Sequence, residues 1–360
     1  MSDIDPEIPR ASHPPARRPP RPRRLRRRFA GVGVFLAAVA AVAAVVLVSL
    51  HVHLPFHLNG GQSTTTAGPT GPTGPTRPAT NRTVQVSTLG SLSAPVSRLA
   101  AVPFGAGGAL FLGGYDSAGN PIDTVQNFQA GTATAAGTLP SPEASAVAAV
   151  LAGNVYLFGG SSSTIYESTS TGFTVAGTLP EATADAAVAS VGDTAYVIGG
   201  YTGTSELNTI VAFTPGSTAQ TVATLPVPLR YPAAAAVQGE VYIIGGSTAG
   251  AASATVYRFD PTTKLVTRFT TLPHARSREA AAAIGGEVYV IGGANTAGVR
   301  TRAIYAIDPA TNSVSLVGIL PLALSDTTAL PIAGKIIIAG GVDATSTPII
   351  TVYALSVTAP

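Results

Sequence analysis

Six residues occupy one repeated position in this chain. Arg98, Ser145, Asp185, Tyr231, Arg278 and Asp326 each follow a leucine by six places, the leucines being Leu92, Leu139, Leu179, Leu225, Leu272 and Leu320. Charged residues are only 11% of the sequence, so four charges at six equivalent positions are a local concentration. Arg230, Arg276 and Glu279 lie beside them. Guanidinium, carboxylate, phenol and hydroxyl groups brought into one ring would hold a polar ligand such as a sugar or a peptide. Strand starts that are simply solvated would give the same pattern. The candidate ligand-binding set is Arg98, Asp185, Tyr231, Arg276, Arg278, Glu279 and Asp326, with no catalytic residue assigned.

Other chemistries lack their residues. There is no Cys, which removes thiolate nucleophiles, disulfides and Cys-ligated metals. No phosphate loop, nucleophile motif or metal-ligand cluster is visible, so no metal or cofactor is expected. Residues 1–28 hold nine Arg against three acids, whereas the remainder holds 12 Lys and Arg against 15 Asp and Glu. The basic balance therefore belongs to a tail, and a nucleic-acid surface is not indicated.

The ring requires elements that repeat with it. Six glycine pairs begin at Gly113, Gly159, Gly199, Gly245, Gly292 and Gly340, with spacings of 46, 40, 46, 47 and 48 residues. In five units the leucine of a Leu-Pro pair stands 20 residues before the first glycine, and in the first unit Leu92 stands 21 before Gly113. A period of 40–50 residues made of short apolar runs and turns is the signature of a β-propeller. The fifth unit shows four strands: Ala280–Ile284, Val288–Ile291, a third through Ala303–Pro309, and Ser313–Gly318. Leu-Pro falls between units. The last unit has no fourth strand of its own, so Thr83–Ser87 is expected to pair with 349–356 and close the ring.

These units resemble kelch repeats. The resemblance rests on the Gly-Gly strand ends, the Val-Tyr pairs at 155–156, 241–242 and 288–289, Tyr-Arg-Phe-Asp-Pro at 257–261, Tyr-Ala-Ile-Asp-Pro at 305–309, and Arg276 after Leu-Pro. It covers residues 83–360 and implies an all-β, six-bladed kelch-type β-propeller. The tryptophan usual in the fourth strand is absent. Its positions hold Phe173, Val266 and Val314, or smaller residues such as Ala133 and Ala219, which should weaken packing between blades. Kelch-like propellers include copper-radical oxidases of the galactose oxidase type, which need a Tyr–Cys crosslink and His ligands. This chain has no Cys, and in the propeller region its one His is His274, so that chemistry is excluded. They also include sialic-acid mutarotases, which use charged residues in the channel for acid–base work; Arg98, Arg278 and Glu279 are charged residues available for it, with no motif match that assigns them.

Four segments follow. Residues 1–28 form a Pro- and Arg-rich tail that cannot bury apolar area and is expected to be disordered. Residues 29–50 are 22 residues without a charge, long enough for a transmembrane helix. The arginines before it place the tail in the cytoplasm and the rest outside, with anionic lipids as the tail's contacts. Residues 51–82 read as a linker: His51, His53 and His57 lack a nearby carboxylate and suit an amphipathic exit segment, and three Gly-Pro-Thr triplets follow. Residues 83–360 are the propeller, expected to be monomeric. The sequence thus points to a single-pass cell-membrane protein whose external propeller recognises a protein or a glycan. A tethered carbohydrate-active enzyme and a structural or adhesive envelope protein are the alternatives.

Overall fold

The computed structural model describes residues 82–358. The basic tail, the apolar span and the linker as far as residue 81 lie outside the described residues. What is described is all β: 24 strands and no helix.

Each repeat folds as a four-stranded antiparallel blade. Blades 1 to 5 cover residues 100–138, 146–183, 187–224, 230–276 and 280–324. Blade 6 takes three strands from residues 328–358 and its outermost from Thr83–Ser91. That strand pairs antiparallel with Thr351–Thr358, from Thr83 opposite Thr358 to Ser91 opposite Thr351, with a bulge between Thr88 and Gly90. The expected closure is present, and the two chain ends hold each other in one blade. Arg82 adds an ion pair to Glu287 of blade 5, 2.6 Å.

The core lies between blades rather than within them. Six clusters of buried apolar residues fill the six interfaces, each drawing on two neighbouring blades. Alternating side chains along a strand serve opposite faces. So in the second strand of blade 5, Val288 and Val290 pack toward blade 4, while Tyr289 and Ile291 pack toward blade 6. The positions left without tryptophan still reach these interfaces: Phe173, Val266 and Val314 are packed against them, and Ala133 and Ala219 are buried within them.

Three boundaries differ from the sequence reading. The outer strands of blades 2, 4 and 5 do not stop before Leu-Pro. They run through it, as Gly172–Thr183, Val266–Arg276 and Ser313–Leu324. Proline lacks an N–H but is tolerated on an edge strand, and bulges such as that between Thr301 and Ala303 absorb the change in register. The leucine is the anchor: Leu179, Leu272 and Leu320 are almost fully buried.

In every blade but the fourth the glycine pair ends the second strand, where the chain must turn beside the next blade. Gly292 and Gly293 have φ of +64° and +94°. A β-carbon on Gly292 would strike the carbonyl of Leu324, and one on Gly293 would meet Glu279 and the Ser277 carbonyl. Glycine is therefore required there on both counts.

A candidate ligand site at the axial mouth

The six ring residues sit where each chain segment turns from one blade into the innermost strand of the next. All six have left-handed backbones, with φ between +51° and +62°. None is glycine, so each stores strain. What holds them is a closed circle of backbone hydrogen bonds. The N–H of Arg98 donates to the carbonyl of Asp326, Ser145 to Arg98, Asp185 to Ser145, Tyr231 to Asp185, Arg278 to Tyr231 and Asp326 to Arg278, at 2.8–3.1 Å. Each blade thus hands one bond to its neighbour, and the last returns to the first.

This collar divides the axis in two. On one side opens a cavity of about 800 Å³. On the other runs a narrow channel walled by the alanine-rich inner strands, including Ala100, Ala148, Ala187 and Ala233.

The collar side chains form a bonded group on the cavity floor. Asp326 accepts from Arg98 Nε at 2.8 Å, Arg278 Nη1 at 2.7 Å and the Ser325 hydroxyl at 2.8 Å. Asp185 accepts from Arg230 Nη2 at 2.7 Å and lies 3.5 Å from Arg98 Nη1. Both carboxylates are buried, while the arginines keep about a quarter of their side-chain surface exposed. Tyr231 stands among three guanidiniums, with Arg278, Arg230 and Arg98 at 3.6, 4.5 and 5.1 Å from its ring centre. Such stacking holds cations in place without using their N–H groups. Burial alone would raise the Asp326 pKa, but Arg278 and Arg98 outweigh it and hold the carboxyl below its usual range. Burial raises the Tyr231 pKa, so its phenol stays neutral.

The balance of donors and acceptors is uneven. The carboxylates around the mouth already have partners: Asp116 caps its own loop by accepting from Ala118 and Asn120 N–H groups, and Glu206 accepts from the N–H of Ala249. The arginines have donors to spare. Arg98 Nη2, Arg230 Nη1, Arg278 Nη2 and both terminal nitrogens of Arg300 make no hydrogen bond among the described residues. All four arginines line the cavity.

Of the residues singled out in sequence, Arg98, Tyr231, Arg278 and Asp326 line the mouth cavity, and Asp185 holds two of its arginines from the collar. Arg276 and Glu279 do not join them. Arg276 is 2% exposed and lies between blades 4 and 5, with Nη1 on the Gly292 carbonyl and its guanidinium 4.7 Å from the Tyr305 ring centre. Glu279 is the residue after the collar, already on the channel side. It is 5% exposed; Oε1 accepts a 3.3 Å bond from the Gly246 N–H, and Oε2 has no partner. Burial pushes its pKa up to about 8, against the smaller opposing effects of backbone bonds and Arg276. Adjacency to the collar in sequence was a poor guide: Arg230, one residue before Tyr231, lines the cavity, whereas Arg276 lies in a blade interface and Glu279 falls on the channel side.

Sequence reasoning left unnamed the residue after each glycine pair. Tyr115, Ser247, Ala294 and Val342 all line the cavity, and Tyr201 lies 3.9 Å under the Arg230 guanidinium. The signal was the fixed offset from the pair: Tyr115 bridges Ser97 and Tyr201 bridges Ala184, each one residue before a collar position.

Residues 182–218, 228–273 and 275–321 match the Kelch motif. This is a kelch-repeat β-propeller. The matched stretches fall on blades 3, 4 and 5, and the other three blades repeat their strand order and glycine pairs. Among solved structures the fold is shared by that of YjhT, with a TM-score of 0.66 and 16% identity over 76% of this chain and 100% of the other. At that identity the likeness concerns the fold. No curated protein matches the sequence.

Proposed function

We propose that the kelch propeller is a recognition module that binds an acceptor-rich polar ligand, a glycan or a protein segment, in the axial mouth. One observation carries this reading: the cavity presents unused guanidinium donors while its carboxylates are already bonded. A volume of about 800 Å³ is in the range of small-molecule and side-chain pockets. The strained collar supports the same reading, since left-handed non-glycine residues persist where surrounding structure fixes them and cluster at binding sites.

The apolar, uncharged run at 29–50 and the arginines before it favour a membrane anchor with the propeller outside the cell. The strand order suits that role. Second strands run toward the mouth and end there at Gly340-Gly341, and the third and closing strands of blade 6 lie antiparallel in turn. Thr83 and Thr358 therefore lie at the face away from the mouth, so a tether reaching Arg82 leaves the mouth free.

The test is thermal unfolding of the full-length protein with cell-wall sugars, sialic acids and peptides. A ligand at 100 times its Kd adds about 2.7 kcal/mol to stability. The expected result is a stabilising compound whose effect is lost in Arg278→Met, which keeps an apolar stem over Tyr231. A shift that survives Arg278→Met, or no shift with any compound, would remove the mouth as the binding site.

A further inference from the structure

The mouth is a bowl with one side missing. On the mouth face, the connection between second and third strands spans residues 113–123 in blade 1, 199–208 in blade 3, 292–300 in blade 5 and 340–350 in blade 6. In blade 4 the two strands themselves continue past the glycine pair and turn at Ala249-Gly250. Blade 2 has neither device. Its second strand ends at Gly159 and its third begins at Ser162, leaving Gly160 and Ser161. Accordingly the cavity wall takes residues from blades 1, 3, 4, 5 and 6 and none from blade 2.

The collar is also lowest there. Blade 2 contributes Ser145, the smallest of the six collar side chains, with a buried hydroxyl that has no partner. Arg98 reaches across this position from blade 1 toward Asp185 of blade 3. Outward from the gap the surface carries hydroxyls: Ser161 is exposed, and Ser162, Ser163 and Thr164 are half-buried.

We propose that the mouth takes the end of a polymeric glycan whose chain leaves sideways over blade 2. The inference rests on the mouth being a ligand site. A free monosaccharide has no use for a missing wall, whereas a chain held by its end must pass out somewhere. A glycan suits the lining better than a polypeptide does. Protein interfaces draw their energy from large apolar or aromatic anchors in fitted pockets. Here the apolar lining is small, namely Ala252, Ala294, Val342 and Pro348. Of the two aromatic residues in the lining, Tyr231 has its faces taken by guanidiniums, and the Tyr115 ring centre lies 5.7 Å from the guanidinium of Arg98. Guanidinium donors at the mouth and hydroxyls along the exit match sugar oxygens and hydroxyls.

The experiment measures affinities of the full-length protein for cellotetraose, chitotetraose and tetragalacturonate, each beside its own monosaccharide. At least one tetrasaccharide should bind ten or more times tighter than its monosaccharide. Inserting the blade 1 loop sequence 115–122 between Gly160 and Ser161 should bring that ratio to about one while leaving monosaccharide affinity unchanged. A wild-type ratio near one, or a tetrasaccharide advantage that survives the insertion in a folded variant, overturns the proposal. If the insertion does not fold, the wild-type ratio decides alone. Binding of a peptide dependent on Arg278, with no sugar bound, overturns the glycan chain and leaves the mouth reading intact. Absence of any binding removes both.

Discussion

Two buried carboxylates one blade apart respond to pH in opposite senses. Asp326 is held ionised by Arg98, Arg278 and Ser325. Its lowered pKa means that it stabilises the fold above the unfolded-state value of about 3.9 and that this is lost as pH falls. Among the described residues Glu279 has no cation within ion-pair distance, and one of its carboxyl oxygens has no partner. Its pKa is raised to about 8, so the folded protein holds a proton that the unfolded chain releases from about pH 4.3 upward. Stability therefore falls with rising pH across that window, until Glu279 ionises in the fold as well. Glu279→Gln should remove the slope. Near pH 5 the variant should be more stable by only about 1 kcal/mol, and at pH 8 by on the order of 4 kcal/mol. Denaturant unfolding at both pH values checks this. An advantage that is equal at pH 5 and pH 8 would show that Glu279 is not the group titrating.

The strand most exposed to loss is the one that closes the ring. Thr83–Ser91 supplies the outer edge of blade 6, and Val84 and Val86 pack into the interface with blade 5. Gly318 of blade 5 leaves room for it, since a β-carbon there would strike Val84. Deleting 83–91 uncovers that interface and leaves Thr351–Thr358 as a bare edge, a template for pairing with other chains. The expected outcome in calorimetry is a loss of more than about 5 kcal/mol, or of a single cooperative transition, with aggregation; burial of roughly 25 cal/mol per Å² across an interface accounts for that size. Unchanged melting would mean the ring does not depend on closure. Much at this scale was legible beforehand. Glycine pairs at a fixed offset from a buried leucine gave the blade count, the collar positions and the missing strand. The course of the outer strands through Leu-Pro was not, because proline reads as a breaker unless the strand is known to be an edge. The blade 2 gap left a trace in sequence, the one short spacing of 40 between Gly159 and Gly199. A spacing alone does not tell which of several loops has been shortened. The burial of Arg276 and Glu279 left none, since it depends on how two blades meet.

At the scale of the whole molecule the two halves of the sequence make one argument about direction. A propeller held at the face bearing Thr83 and Thr358 presents its collar and arginines to whatever lies beyond. If residues 29–50 cross a membrane with the nine-arginine tail inside, what lies beyond is the cell exterior. The absence of cysteine makes this directly measurable, because a single introduced thiol is the sole site of labelling. Ser117→Cys falls in the blade 1 loop that lines the mouth, and Ser2→Cys falls in the basic tail. In intact cells a membrane-impermeant maleimide should label the first and not the second, and detergent should make both react. Labelling of Ser2→Cys without detergent would invert the topology, and protection of Ser117→Cys until lysis would put the mouth inside the cell. In either case a glycan beyond the membrane would no longer be within reach of the arginines. The topology measurement therefore constrains the ligand as well as the location, and it needs no knowledge of what the ligand is.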